Sequence, residues 1–268
     1  MTFVRESVSR MDVESECAEP WDSAPELSVL VPVFNEERTV GRTLRRLLAV
    51  PFPGPFEVIV VDDGSTDGSA EVIQRLTGTE GVSVVRHEVN SGKGAAIQTA
   101  LRHARGRFMV IQDADDELDP MDLLPMFEKV RTGVCPVCYG SRFLGDAGRF
   151  RFRPIYLANR LLNGLCNVLN GLRLTDMNTC YKMMRTDIAR RLNLCSRGFA
   201  MEPEITTKLA RMGIDILEHP IRYKPRLRAE GKKIRATDFF RYLLAMIRFR
   251  FERPSFIPIP TQLIAGRV

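Results

Sequence analysis

The chain has 268 residues, 44% of them hydrophobic and 27% charged, enough apolar material for one large α/β domain or two small ones. That composition excludes a disordered chain, a disulfide mini-scaffold and a collagen-like repeat. The net charge of +6 is unevenly spread: residues 1–26 hold seven acids and two arginines, which leaves +11 on the remainder and points to an anionic partner such as a phosphate, a nucleotide or an acidic membrane surface. Charge alone leaves nucleic acid open.

Residues 1–26 are polar and aperiodic and read as a flexible acidic leader outside the fold. They contain no apolar core of signal-peptide length, and no run in the chain approaches the ~20 apolar residues of a spanning helix. The expected location is therefore the cytoplasm, with any membrane contact made peripherally at its inner face. From Leu27 onward, unbroken apolar runs alternate with segments of helical periodicity. The runs are Leu27 to Val33, Phe56 to Val61, Val82 to Val85, Phe108 to Ile111 and Val134 to Tyr139, and their continuity suits strands covered on both faces. Helices are expected near Glu37 to Leu48, Gly68 to Leu76, Gly92 to Arg105 and Pro120 to Arg131, the last announced by Asp119 as N-cap and Pro120 in the first turn. This order predicts an α/β fold with a mostly parallel central sheet flanked by helices.

The second half changes character. Residues 154–172 form a long candidate helix with Leu161, Leu165, Val168 and Leu172 on one stripe and Asn159, Asn163, Asn167 and Asn170 on another. Short elements follow to about Tyr223, and then a segment from Arg222 to Arg253 with eleven Lys and Arg against three acids. Within it, Asp238 to Glu252 can be drawn as an amphipathic helix. Phe240, Leu243, Leu244, Ile247 and Phe251 form its apolar stripe, and Arg241, Ala245, Arg248 and Glu252 a narrow opposite strip. Such a helix either lies in a membrane interface or docks on the catalytic domain. The expected organisation is a leader at 1–26, a catalytic domain at 27–235 with halves 27–142 and 143–235, and a basic amphipathic segment at 236–268. The six cysteines read as reduced core residues, including the Cys135-Pro136-Val137-Cys138 pair, which has no second CxxC to make a zinc site.

In an open parallel sheet, ligands collect beyond the carboxyl ends of the strands, and here those positions are acidic. Asn35 and Glu36 follow the first run, Asp62-Asp63-Gly64-Ser65-Thr66-Asp67 the second, and Gln112-Asp113-Ala114-Asp115-Asp116-Glu117 the fourth. Carboxylates so close raise one another's pKa unless a cation offsets them, which a divalent metal with an anionic substrate would do. No GxGxxG follows the first strand, and Ser91-Gly92-Lys93-Gly94 lacks the remaining positions of a Walker A loop. His87, His103 and His219 have no metal or triad spacing and read as surface or packing residues.

Val31 to Glu36, Val61 to Asp67, Asn90 to Gly94 and Gln112 to Asp115, in that order and spacing, resemble the nucleotide-sugar half of family-two inverting glycosyltransferases of GT-A fold. Downstream, Gly140-Ser141-Arg142, Thr175 to Lys182, and Tyr223 to Arg226 followed by Glu230 to Lys233 resemble the dolichol-phosphate mannose synthase-like branch. The resemblance implies a donor site built from Pro32, Val33, Phe34, Glu36, Asp63, Lys93, Asp113, Ala114, Asp115 and Arg226. Within it, Glu36 and Asp63 bind the nucleoside and the Pro32 to Phe34 backbone lies beside the base. Asp113 and Asp115 match a DxD motif, with Asp115 ligating Mg2+ or Mn2+ and Asp113 and Glu117 as further metal ligands; oxygen donors suit these hard ions. Arg142, Arg226, Lys232 and Lys233 are implied phosphate clamps. Asp176 is the candidate base or acceptor-positioning residue, with Glu202 and Glu204 as second choices, and Asp176, Asp115 and Arg142 make up the catalytic set.

The activity so implied is transfer of a sugar from a nucleoside diphosphate sugar to a polyprenyl phosphate. The stretch after Asp176 departs from the branch, being Thr179-Cys180-Tyr181, so a soluble enzyme acting on a small-molecule or nucleoside acceptor stays open. A nucleotidyltransferase would need a glycine-rich basic loop after the first strand, which Pro32 to Glu36 lacks. A non-catalytic sugar-nucleotide binder would not need the DxD pair.

Overall fold

The computed structural model describes residues 24–76, 78–144, 153–226 and 236–253. Seven strands, β1 (Leu27–Val33), β2 (Phe56–Asp62), β3 (Val82–Arg86), β4 (Phe108–Ile111), β5 (Val137–Ser141), β6 (Lys182–Arg185) and β7 (Ile216–Pro220), form one sheet in the order β3-β2-β1-β4-β6-β5-β7. The helices are α1 (Val40–Leu48), α2 (Ser69–Gln74), α3 (Lys93–His103), α4 (Leu123–Arg131), α5 (Arg153–Asn170), α6 (Thr186–Arg191), α7 (Met201–Arg211) and α8 (Ala236–Phe251).

The apolar runs became strands because both faces of the sheet are covered. Leu27, Val29, Leu30 and Val31 of β1 and Val58 to Val61 of β2 have no exposed surface. At the sheet edge, β3 is only half-buried. Strands β1, β2, β3 and β4 are mutually parallel, with Val33 level with Asp62 and Leu30 with Ile111, so the carboxyl ends of β1, β2 and β4 open on one edge. Asp119 caps the turn before α4 as expected, accepting a hydrogen bond from the Met121 N–H at 3.1 Å ahead of Pro120 at the first helical position.

Several expectations are corrected. Strand β5 begins at Val137, not Val134. Gly133 turns the chain at φ 79°, Val134 is exposed, and Pro136 has no N–H for a ladder. Strand β6 is antiparallel to both neighbours and inserted between β4 and β5, so the sheet is mixed at its centre. The stripes of α5 are only partly as expected: Leu161 and Val168 face solvent, Leu165 and Leu172 are half-buried against apolar clusters, and the asparagines face the protein. The docked face of α8 is Tyr242, Ala245, Met246 and Phe249, against α5 and α7, while Leu244, Ile247 and Phe251 of the expected apolar stripe point outward. Of the cysteines, Cys135, Cys138, Cys166 and Cys180 are buried and free, but Cys195 is exposed. Glu26, assigned to the leader, is fixed to the fold by Arg131 at 2.9 Å and by its N–H to the Pro55 carbonyl at 2.7 Å. The rest of the leader up to Ser23, Cys17, Lys232, Lys233 and residues 254–268 lie outside the described residues.

Candidate active site

At the carboxyl end of β1 the chain turns through Asn35, at φ 51°, whose side-chain carbonyl accepts the Thr66 N–H at 2.8 Å and ties the first acidic loop to the second. Val33 is buried while Pro32 and Phe34 are half-buried, and the Val33 carbonyl is taken by the Asp63 N–H at 2.7 Å. Asp63 is itself committed: Oδ1 accepts from the Ser91 N–H at 2.9 Å and pairs with His87 Nδ1 at 2.7 Å, and Oδ2 accepts from the Gly92 N–H at 2.7 Å. His87 also reaches the Thr99 hydroxyl at 3.0 Å and so braces Asp63 against α3, a role its lone position in the sequence did not signal. The glycines of the phosphate-loop lookalike have a packing reason. A Cβ on Gly92 would stand 2.5 Å from the Arg197 carbonyl oxygen, and one on Gly94 2.1 Å from that of Ser196. The start of α3 is therefore covered by chain, with the Ala95 N–H bonded to the Arg197 carbonyl at 3.0 Å.

The loop after β4 divides its carboxylates among three sets of cations. Asp113 pairs with Lys93 at 2.8 Å, and Lys93 reaches Glu202 at 3.2 Å. Glu202 in turn contacts Lys182, a fully buried lysine that donates to the Met177 carbonyl at 3.0 Å and lies 4.8 Å from the Tyr139 ring centroid. Burial pushes an ammonium down, yet Asp113, with Glu202 beside it, holds Lys93 well above the ordinary lysine range. Asp116, at φ 59°, is consumed by Arg42 at 2.8 Å and Arg46 at 2.7 Å. Asp115 meets Arg226, which also binds Glu36 at 2.8 Å and lies 3.6 Å from Glu117. Burial, then the neighbouring charges of Asp113 and Glu117, push the Asp115 carboxyl up to about 7 despite that arginine. Ala114 is buried, its carbonyl 3.3 Å from the Thr43 hydroxyl.

On the far side of the same edge Arg142 clasps Asp176 in a fork, Nε to Oδ2 at 2.7 Å and Nη2 to Oδ1 at 2.8 Å, with the Arg142 N–H also on Oδ2 at 3.1 Å. The guanidinium lies 5.2 Å from the Tyr223 ring centroid. The loop carrying Asp176 is held from two directions. Asn163 accepts from the Met177 N–H at 2.8 Å and Asn167 from the Leu174 N–H at 3.0 Å, which explains the asparagine stripe. Glu218 on β7 accepts the Thr175 and Asp176 N–H groups at 2.7 and 2.8 Å. Glu218 is another residue that sequence reasoning missed, because only the pairing of β5 with β7 brings it beneath this loop. Glu202 and Glu204 are both paired with lysines, Glu204 with Lys208 at 2.6 Å, so neither presents an open carboxylate.

The structure thus joins Glu36, Asp115, Glu117 and Arg226 in one cluster, Lys93 and Asp113 in a second, and Arg142 and Asp176 in a third, with Asp63 set beneath the 91–92 loop. Among the described residues no three acidic, histidine or cysteine side chains are grouped to hold a metal by themselves. The donor chemistry still suits Mg2+ or Mn2+. Carboxylates of Asp115, Glu117 and Glu36 already converge on a cation, the Arg226 guanidinium, and Mg2+ is ordinarily held by one or two carboxylates together with substrate phosphates.

The mixed sheet of this order, with carboxylates at the strand ends and arginines entering from β5 and the segment after β7, defines an α/β fold with one charged edge. Residues 28–192 match the model for glycosyl transferase family 2, and the chain belongs to that family. It is similar to dodecaprenyl-phosphate galacturonate synthase of Rhizobium johnstonii, 34% identical over 174 residues covering 63% of this chain and 50% of that protein. It is also similar to undecaprenyl-phosphate 4-deoxy-4-formamido-L-arabinose transferase of Edwardsiella ictaluri, 28% identical over 210 residues covering 77% of this chain and 62% of that one. The chain therefore spans about half to three-fifths of the length of these relatives. Among solved structures, glucosyl-3-phosphoglycerate synthase from Mycobacterium tuberculosis in complex with UDP shares the fold at a TM-score of 0.65 and 19% identity, covering 86% of this chain and 82% of that one.

Proposed function

We propose that this chain transfers a sugar from a nucleoside diphosphate sugar to the phosphate of a polyprenyl lipid, working from the cytoplasmic face of a membrane with Mg2+ or Mn2+. The observation that carries the reading is the layout of charge along one sheet edge. Carboxylates stand at the ends of β1, β2 and β4, and Arg142 and Arg226 enter beside them from β5 and from beyond β7. The relatives named for lipid-linked sugar transfer supply the acceptor class.

In this reading Glu36 and the loop held by Asp63 receive the nucleoside, and Asp115 and Glu117 would hold the metal. When bound, the metal neutralises charge developing on the departing diphosphate. Lys93 fixes Asp113 beside them and Arg226 turns to the diphosphate. A phosphate acceptor already carries its nucleophilic oxygen, so no base has to strip a proton. Asp176, with both oxygens on the Nε and Nη2 edge of Arg142, fits a positioning role: it holds the guanidinium so that its Nη1 edge meets the acceptor phosphate. The membrane side of the proposal is supported by outward apolar residues, Leu157, Leu161 and Val168 on α5 and Leu244, Ile247 and Phe251 on α8, together with exposed Arg248 and Arg250 for anionic headgroups. No helix among the described residues is long and apolar enough to cross a membrane.

The test is nucleoside diphosphate release from a panel of donors with Mg2+, with and without a short polyprenyl phosphate in detergent. Release that requires both donor and lipid phosphate is expected. Release unaffected by the lipid phosphate, but stimulated by a water-soluble hydroxyl acceptor, would overturn the acceptor assignment.

A further inference from the structure

Arg226 sits where three carboxylates meet. Nη1 is 2.8 Å from Glu36 Oε2, Nη2 is 3.3 Å from Glu36 Oε1 and 3.0 Å from Asp115 Oδ2, and Nε is 3.6 Å from Glu117 Oε1. Largely buried, the cluster has Asp115 as its most exposed side chain at 19%. Asp113 takes no part, since Lys93 matches it separately. The three carboxylates already hold a cation, and their oxygen donors suit a hard divalent ion in its place.

The backbone around Arg226 is fixed independently of its guanidinium. Leu118 and Tyr223 form an antiparallel bridge, the Lys224 N–H donates to the Glu117 carbonyl at 2.8 Å, and the Arg226 N–H donates to Glu117 Oε1 at 3.0 Å. The side chain can therefore swing away by its own torsions while the segment stays zipped to the loop. A metal arriving alone would have to displace the guanidinium and leave it beside a dication without its carboxylates. A diphosphate removes that penalty, because its oxygens accept a guanidinium in the same forked geometry.

Resting on the donor reading above, we propose that Arg226 is the resident cation of the Asp115 site and yields it to a divalent metal only when a nucleoside diphosphate takes over its guanidinium. Metal and diphosphate then bind as a linked pair, and each tightens the other by the same factor.

Binding, not turnover, tests this. Mn2+ is titrated into the full chain and the free ion is followed by electron paramagnetic resonance. The protein is wild type, Arg226→Met or Arg226→Gln, with and without UDP, and protein-free Mn–UDP mixtures serve as reference. Without nucleotide, Arg226→Met is expected to bind Mn2+ roughly 10-fold or more tightly than wild type; UDP is expected to tighten Mn2+ by a similar factor in wild type and by little in the variant. Equal Mn2+ affinity of wild type and folded Arg226→Met in the absence of nucleotide overturns the proposal, and so does UDP binding that leaves wild-type Mn2+ affinity unchanged. If neither UDP nor GDP binds any of the proteins, the donor reading fails, while the comparison with Mn2+ alone still decides the place of Arg226. Arg226→Gln decides the same comparison if the Met variant does not fold.

Discussion

Lys93 and Glu202 meet at 3.2 Å and join the first half of the chain to the second through a chain of alternating charge, Lys182 to Glu202 to Lys93 to Asp113. Lys93 comes from the first residue of α3 and Glu202 from the second of α7, so the contact fixes two helices as well as one carboxylate of the Asp113-Ala114-Asp115 loop. Neutralising Glu202 would strand a fully buried lysine beside a second cation. Glu202→Gln is expected to lose about 3 kcal/mol of stability in urea unfolding, the usual cost of breaking a buried pair. Lys182→Met paired with Glu202→Gln should recover part of that loss, because the buried charge leaves with its partner.

Asp115→Asn separates function from folding. In the metal-free protein the Asp115 carboxyl is already disfavoured, pushed up to about 7, so removing its charge should leave the melting temperature unchanged or slightly raised. Sugar transfer should fall roughly 100-fold or more through loss of charge stabilisation. EDTA should abolish wild-type transfer and Mg2+ restore it. Transfer that persists undiminished in EDTA would remove the metal from the scheme.

Asp176→Asn keeps the size of the side chain and weakens the fork on Arg142. The expected result is a higher KM for the acceptor with the donor KM little changed, and a pH profile of the same shape as wild type. Disappearance of an acidic limb from that profile in the variant would instead identify Asp176 as a general base.

Acid should expose Glu204. Burial raises its pKa, but hydrogen bonds from Lys208, Ser196 and Cys195 outweigh burial and hold the carboxyl below its ordinary value of 4.5. A depressed acid stabilises the fold above the unfolded value and loses that contribution as pH falls through the folded one. Urea unfolding should show Glu204→Gln about 2 kcal/mol less stable than wild type at neutral pH. The gap should narrow progressively once the pH is taken below 4.5.

Leu244→Ser with Ile247→Ser removes outward apolar surface from α8 and leaves its docked face intact. Co-sedimentation with anionic liposomes should fall severalfold in the double variant and in high salt, with the melting temperature held. Wild-type protein that stays in the supernatant at low salt would remove the membrane from the proposal.

The first half was legible because β1, β2 and β4 are largely apolar runs buried on both faces, and each ends at a visible acidic loop. Glu36 and Asp115 stood out at those strand ends and Arg226 through the family resemblance, and the three converge, while Asp113 pairs apart with Lys93. Strand β6 was not legible, since it opens on Lys182, whose charge is satisfied only by carbonyls and Glu202 from elsewhere in the chain. The α5 stripes misled for a related reason: asparagine reads as a solvent face until the 174–177 loop supplies its partners. Glu218 and His87 each carry a role that depends on strand order or loop closure and leaves no local pattern.

Because β6 is hydrogen-bonded to β4 on one flank and to β5 on the other, the second half of the chain is not an exchangeable cassette. A chimera cut after Arg142 would set a foreign β6 against two native ladders and would leave native Lys93 facing a foreign chain in place of Glu202. Grafts that keep Lys182 to Arg185 and Glu202 native, and replace only the chain between Phe143 and the Asn163 turn of α5, leave both ladders and the buried charge chain whole. Under the proposed activity, acceptor preference is therefore best redesigned from the rim inward, with the central seam carried over unchanged.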